Sequence, residues 1–173
     1  MKSPELEQLV AGLRAGGPDL SASPQAAREG FSAMVAAAPV APDIVFDRVK
    51  LGGLDALESR TPGARNDRAL LYFHGGAFVI GSAQDYRTLT AELGRATGVR
   101  CVSVDYRLAP EHPFPAAVED AVAAYRALLE SGLEPGHVVV AGDSAGGGLA
   151  LSMLVAARDA GLPMPAAALL ISP

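Results

Sequence analysis

The chain has 173 residues, half of them hydrophobic, with a formal net charge of −5 and a pI near 5.1. This length and apolar content predict one folded domain with a core, and they argue against disorder. The acidic balance leaves no basic surface, which excludes nucleic acids and anionic membranes as expected partners and favours a small molecule.

Residues 1–42 are rich in Ala, Pro and Gly and show weak helical patterns near 4–14 and 24–37. We expect a small helical cap segment here, with the main domain at 43–173. The start lacks the apolar stretch of a secretory signal, and the longest weakly polar run, 145–157, is shorter than the roughly 20 residues that span a bilayer. The sequence therefore predicts a cytoplasmic protein without a membrane span.

From about residue 44 onward, strand-like and helix-like segments alternate, which predicts an α/β fold with a mostly parallel sheet and flanking helices. The predicted strands are Ile44–Lys50, Leu54–Ser59, Ala69–Phe73, Cys101–Tyr106, Val138–Ala141 and Ala167–Ile171. Three of them are continuous apolar runs, as expected for strands covered on both faces. Cys101, the only cysteine, is predicted to be a core side chain.

Apolar spacing and Gly or Pro stops predict three helices between these strands, from about Tyr86, Pro115 and Ala145. They end before Gly98, Gly132 and Gly161. The last helix is apolar nearly all round, so we expect it to be buried against the sheet.

The run Gly142-Asp143-Ser144-Ala145-Gly146 lies between the fifth predicted strand and the last predicted helix. A serine in this context sits on a sharp strand-to-helix turn, next to the positive end of the helix. Gly142 and Gly146 are needed because a Cβ at either position would collide across the turn. Ser144 is therefore the predicted nucleophile, with a positive backbone φ; the simpler alternative is a helix-capping serine.

The run His74-Gly75-Gly76-Ala77 directly follows the third predicted strand. Acyl transfer places negative charge on an oxygen, which N–H groups of a glycine-rich loop and of the residue after the nucleophile can stabilise. We assign Gly76, Ala77 and Ala145 as these oxyanion-hole donors, with Gly75 allowing the turn. His74 is expected to order the segment by hydrogen bonding.

With the run Asp105-Tyr106-Arg107-Leu108-Ala109-Pro110-Glu111, these two motifs resemble the bacterial carboxylesterases of the hormone-sensitive-lipase family over about residues 40–173. The resemblance implies an α/β-hydrolase core, a helical cap begun by the N-terminal segment, and cofactor-free hydrolysis of short- to medium-chain carboxylic esters. The family usually has a third glycine where this chain has Ala77, and a positive φ there would cost about 1 kcal/mol.

In this architecture the acid and the histidine of the catalytic triad follow the serine along the chain. No histidine follows Ser144, and the one later carboxylate, Asp159, lies on the helix that leads away from it. All three histidines precede the serine: His74 is expected to be structural, and His112 and His137 are expected to be structural or solvated. We therefore expect the acid and base to come after Pro173, the core to be incomplete after its sixth or so strand, and these 173 residues alone to be inactive and poorly soluble.

A second hypothesis is a non-catalytic ligand binder of the same fold, because a hydrolase pocket without its triad can serve as a receptor. An acid and a late histidine after Pro173 would favour the enzyme. A dinucleotide site at Gly146–Gly148 is rejected, because the G-x-G-x-x-G spacing and the acidic residue about 20 positions later are missing. The sequence also has no metal-ligand cluster, so no cofactor is expected.

Further expectations concern the surroundings of the site. Arg107 and Glu111 are expected to pair across the loop after their strand. Asp143 either influences the site electrostatically or is simply exposed beside a helix N-terminus. Three apolar side chains at i, i+3, i+4 spacing are expected to cover the site mouth and help set acyl preference: Phe31, Met34 and Val35.

Overall fold

The computed structural model describes residues 3–16 and 23–173. Two helices come first, α1 (Pro4–Gly16) and α2 (Pro24–Ala36). The other elements follow in chain order: β1 (Val45–Leu51), β2 (Leu54–Arg60), β3 (Arg65–Phe73), α3 (Arg87–Thr97), β4 (Val99–Val104), α4 (Ala116–Glu130), β5 (Val138–Asp143), α5 (Ala145–Asp159) and β6 (Ala167–Ile171). The six strands and three main-domain helices predicted from the sequence are all present, although β3 begins earlier than expected.

All six strands belong to one sheet with the order β1-β2-β4-β3-β5-β6. The β1–β2 and β2–β4 pairs are antiparallel, whereas β4, β3, β5 and β6 run parallel. This confirms the α/β class with a mostly parallel sheet. Because β3 lies between β4 and β5, the loops that leave the carboxyl ends of these three strands emerge side by side.

Helices cover both faces of the sheet, with α3 on one face and α4 and α5 on the other. Along β3, Leu71 and Phe73 belong to the core on the α4 and α5 side, and Leu70 and Tyr72 to the core on the α3 side. Burial on both faces explains the continuous apolar run in this strand. Cys101 is also fully buried, as predicted, and burial raises the pKa of its thiol.

Helix α5 is buried along one side only. Its inward side consists of small and apolar residues: Gly146, Gly147, Leu149, Ala150, Met153 and Ala157. On the outer side Leu151 and Val155 are 50% and 43% exposed, so the expectation that this helix is buried is wrong there. The reason is that α5 is the outer layer on its face of the sheet. Strand β6 ends the described sheet, and low solubility of the 173-residue chain stays a prediction.

The N-terminal segment contains both helices that the sequence predicts. Ser23 caps α2, because its Oγ accepts a hydrogen bond from the Ala26 N–H, and Pro24 occupies the first helical position. Of the predicted cap segment, residues 1–2 and 17–22 lie outside the described residues, and a domain boundary at residue 42 stays a prediction. Within 3–16 and 23–173, no helix is both long enough and apolar enough to cross a membrane.

Candidate active site

Ser144 occupies the single-residue turn between β5 and α5, and its side chain is exposed. Its backbone has φ 50° and ψ −124°, so the predicted positive φ is confirmed. A serine in this region is strained, and such strain persists only where the surrounding structure enforces it. The Ser144 N–H donates to the Ile171 carbonyl at the end of β6, and the Ser144 carbonyl accepts from the Gly148 N–H. The turn is thereby fixed from both sides.

The turn requires glycine on both sides of the serine because three chain segments meet there. A Cβ on Gly142 would overlap the Gly146 carbonyl, and a Cβ on Gly146 would overlap the carbonyl oxygens of Phe73 and His74. These obstacles are backbone atoms, which cannot move aside as a flexible side chain can. The collision predicted from the sequence is therefore confirmed. At Gly146 the colliding atoms belong to the end of β3 and the residue after it.

The glycine loop lies beside this turn because β3 and β5 are paired. Phe73, the last residue of β3, is in register with Gly142 of β5, so the chain leaves both strands at the same level. The loop then turns back on itself, since the N–H groups of Val79 and Ile80 both donate to the Gly76 carbonyl at 2.9 Å. The parallel sheet thus brings together two motifs that are almost 70 residues apart in sequence.

Ala77 occupies the position where the family usually has a third glycine. Its backbone φ is 53°, so this alanine has the positive φ that is costly for a residue with a Cβ. We predict that Ala77→Gly raises the free energy of unfolding by about 0.5 kcal/mol, because relief of roughly 1 kcal/mol of strain exceeds the added entropy of the unfolded chain. Urea denaturation followed by circular dichroism measures this difference. A variant less stable than its parent would contradict the strain argument.

Asp143 links the two motifs directly. Its Oδ1 accepts hydrogen bonds from the Gly75 N–H at 2.9 Å and from the Tyr72 hydroxyl at 2.7 Å, and its Oδ2 accepts from the Tyr86 hydroxyl at 3.2 Å. The carboxylate is half-buried, so the interpretation that it is simply exposed beside a helix is wrong. The sequence did not reveal this role, and its one local signal was an acidic residue directly before Ser144.

Tyr72 and Tyr86 remain neutral hydrogen-bond donors in this arrangement. Burial raises the pKa of both phenols well above the usual value, and the nearby Asp143 carboxylate raises it further. Their rings are 6.1 Å apart, centroid to centroid. Asp143 is therefore held by two fixed phenols and in turn holds the backbone of the glycine loop.

His74 is fully buried behind the loop. Its Nδ1 lies 2.8 Å from the Gly75 carbonyl oxygen, and its own carbonyl accepts a hydrogen bond of 2.7 Å from the Tyr106 hydroxyl. The His74 and Tyr106 rings stack with their centroids 4.4 Å apart. Burial lowers the pKa of His74, which favours a neutral ring whose Nδ1–H donates to Gly75. The hydrogen bonding predicted for His74 is therefore present.

The structure contradicts the expected pairing of Arg107 with Glu111. The Arg107 Nε lies 2.9 Å from Asp120 Oδ1, and the Arg107 N–H donates to Asp120 Oδ2 at 2.8 Å. Glu111 instead binds Arg28 of α2. The physical reason is that Asp120, near the start of α4, is buried and its charge needs a partner, which Arg107 provides. Glu111 lies in the loop between β4 and α4, where it is within reach of Arg28 on α2.

The remaining histidines and Asp159 lie in three different parts of the fold. His137 lies at the opposite end of β5, which corresponds to about 20 Å along the strand. His112 is exposed in the loop before α4. Asp159 is the last residue of α5 and pairs with Arg158, about 22 Å along the helix from the serine. That the acid and base come after Pro173 stays a prediction.

Two of the three apolar side chains expected at the site mouth, Phe31 and Val35, line one groove together with Tyr86. The Phe31 ring is 6.1 Å from the ring of Tyr86, the residue that binds Asp143, and Val35 lines the same groove. Met34 is 46% exposed and does not line that groove. That these residues cover the site mouth and affect acyl preference stays a prediction.

The comparisons with known proteins agree with this geometry. The sequence profile described as the alpha/beta hydrolase fold matches residues 70–173. The chain belongs to the α/β-hydrolase family. It is 43% identical to a solved esterase of the bacterial hormone-sensitive-lipase family, with a TM-score of 0.92 over 97% of this chain and 57% of that one. Membership of the hormone-sensitive-lipase-like esterases, inferred from the motifs, is therefore confirmed.

Curated relatives extend the comparison. The chain is 58% identical to an acetyl-hydrolase of Streptomyces hygroscopicus over 112 residues, which are 65% of this chain and 38% of that protein. It is 32% identical to an esterase of Acinetobacter venetianus over 154 residues, or 89% of this chain and 50% of that protein. This α/β-hydrolase chain thus spans about half the length or less of these relatives.

Proposed function

We propose that this chain carries the nucleophile and the oxyanion hole of a serine ester hydrolase. Ser144 is the nucleophile in this proposal, and the backbone N–H groups of Gly76, Ala77 and Ala145 bind the oxyanion. Supporting roles fall to residues that shape the two turns: His74, Gly75, Gly142 and Gly146. The observation that carries the proposal is the exposed, positive-φ Ser144 beside a glycine loop that Asp143 binds.

The reaction that follows from these roles is acyl transfer in two steps. The Ser144 hydroxyl loses its proton to a base as Oγ bonds to the ester carbonyl carbon, and the carbonyl oxygen becomes an oxyanion. Collapse of this intermediate expels the alcohol, which takes the proton, and leaves an acyl group on Ser144. Water then repeats the attack and releases the carboxylic acid. The base and its acid partner come from outside these 173 residues in our proposal.

The local backbone suits the charge that develops in this reaction. The first N–H groups of a helix have no partner within it, and those of α5 begin directly after Ser144. The positive end of the helix dipole favours an anion at the same position. The tight turn after β3 adds donors on a second segment, so the oxyanion would be bound from two sides. Donors held in this way need no reorganisation as the charge forms.

Small carboxylic esters with short- to medium-chain acyl groups are the substrates we propose. The relatives named acetyl-hydrolase and esterase support ester hydrolysis over the alternative of a non-catalytic ligand binder. Phe31 and Val35 would contact the substrate from the cap side in this proposal. No bound metal or cofactor has a role in it.

Hydrolysis of p-nitrophenyl butyrate tests this proposal with four proteins: the 173-residue chain, the product of the complete reading frame that encodes it, and the Ser144→Ala variant of each. We expect the 173-residue chain to be near background, because it offers Ser144 no base. The complete product should turn over, and Ser144→Ala should lower its kcat on the order of 10⁶-fold.

Two outcomes would contradict this prediction. Turnover of about 1 s⁻¹ by the 173-residue chain, lost in its Ser144→Ala variant, would reveal a base among these residues. Turnover by the complete product that survives Ser144→Ala would remove Ser144 as the nucleophile. Ser152→Ala in the complete product is the matched control, because it removes a different serine hydroxyl from the helix that follows Ser144.

A further inference from the structure

Arg28 on the cap helix α2 makes an unusual set of contacts with two loops of the main domain. Its Nε donates to the Val79 carbonyl at 2.7 Å, and its Nη2 donates to the Ala109 carbonyl at 3.0 Å. Its two terminal nitrogens also bind the two carboxylate oxygens of Glu111 at 2.8 and 2.7 Å. The Arg28 side chain is 24% exposed, so it is mostly enclosed between the cap and the loops.

The two carbonyl acceptors belong to segments that are themselves joined. Val79 is part of the turn that closes on the Gly76 carbonyl, and the Ala109 N–H donates to the Phe78 carbonyl at 2.8 Å. Arg28 therefore binds the same 76–80 turn that carries the N–H groups of Gly76 and Ala77. Movement of Arg28 would release one of the constraints on that turn.

We propose that Arg28 is a positioning residue that connects the cap helix to the oxyanion hole. By binding Val79, Ala109 and Glu111 at once, it holds the 76–80 turn in the orientation in which its N–H groups meet the oxyanion. This inference rests on the proposed function, since it assigns a purpose to the donors of that turn. It makes the cap a contributor to the rate of the reaction as well as to substrate binding.

The geometry requires a guanidinium. Its planar group offers five N–H donors in a fixed fork, which here reaches two carbonyls and both oxygens of a carboxylate. A lysine ammonium keeps the charge but has one nitrogen, so it cannot bind all three residues in the same geometry. Arg28 in turn holds the pKa of Glu111 at about 2, so the pair remains charged at neutral pH.

The test compares Arg28→Met and Arg28→Lys with the parent, all in the product of the complete reading frame. We expect kcat for p-nitrophenyl butyrate to fall about tenfold in both variants with KM within twofold, because small displacements of reacting groups are costly to the rate. Inhibition by an alkyl trifluoromethyl ketone, which forms an oxyanion on the serine, should weaken by a similar factor. A role confined to stability would not change that inhibition constant at a temperature where every variant is folded.

Arg95 provides a matched control. It also binds a carboxylate with two nitrogens, at 2.6 and 3.1 Å from Asp43, and among the described residues its side-chain hydrogen bonds and ion pairs go to Asp43 and Glu92 rather than to the 76–80 turn. Arg95→Met should leave kcat and the inhibition constant within twofold. If Arg95→Met and Arg28→Met lower kcat equally, or if Arg28→Lys retains full kcat, the positioning role is overturned.

Two further variants distinguish a failure of this inference from misfolding and from a failure of the proposed function. If the Arg28 variants do not fold, Glu111→Gln replaces them, and kcat should fall at least threefold; an unchanged kcat overturns the inference. Ser144→Ala is run in parallel. Turnover that survives Ser144→Ala refutes the proposed function, whereas turnover that is lost there but unchanged in the Arg28 variants refutes only the role of Arg28.

Discussion

In the product of the complete reading frame, the Asp143→Ala variant is expected to hydrolyse p-nitrophenyl butyrate about 100-fold more slowly than its parent. Asp143 accepts hydrogen bonds from the Gly75 N–H and from two buried phenols, so alanine leaves three donors without their acceptor. The glycine loop then loses its direct bond to the turn that carries Ser144. The proposed oxyanion donors of the loop then move relative to Ser144, the proposed nucleophile.

Steady-state kinetics on a series of variants identifies the cause of this loss. Asp143→Asn keeps a carbonyl oxygen that can accept from Gly75 and Tyr72, so we expect a loss of less than about tenfold. Tyr86→Phe removes only the 3.2 Å bond and should have the smallest effect. If Asp143→Asn lowers the rate as much as Asp143→Ala, the negative charge of Asp143 matters rather than its hydrogen bonds. An Ala variant within threefold of the parent would refute the role of Asp143.

The Gly146→Ala variant is expected to lose about 4 kcal/mol or more of its free energy of unfolding. Its new Cβ would overlap the carbonyl oxygens of Phe73 and His74, so β3 and α5 cannot keep their present separation. Alanine is favoured over glycine in a helix by about 1 kcal/mol, which is too little to offset such a collision. This prediction concerns folding and does not depend on the reaction.

Gly148→Ala is the matched control, two residues further along the same helix. A Cβ at Gly148 meets nothing within 4 Å, so only helix propensity acts there and stability should rise by about 0.5–1 kcal/mol. Urea denaturation of both variants measures the two differences. Equal stabilities of the Gly146→Ala and Gly148→Ala variants would show that the strand end does not constrain the turn.

The sequence by itself determined the elements and the local form of the site. Continuous apolar runs predicted buried strands, and the glycines around Ser144 predicted a turn with positive φ, which the structure confirms. Such features depend on neighbours within a few residues, where steric limits on the backbone act directly. The family motifs, read in order, then indicated the α/β-hydrolase fold.

Only the tertiary structure decided which distant groups meet. Asp143 binds Tyr72 and Gly75, which lie 71 and 68 positions earlier, because β3 and β5 are neighbours in the sheet, and it also binds Tyr86 at the start of α3. Arg107 and Glu111 lie four residues apart, yet each pairs with a partner on a different helix. Long charged side chains reach several partners, and the pair that forms depends on which carboxylate is buried and which helix packs nearby. That information lies in the packing of the elements rather than in their spacing along the chain.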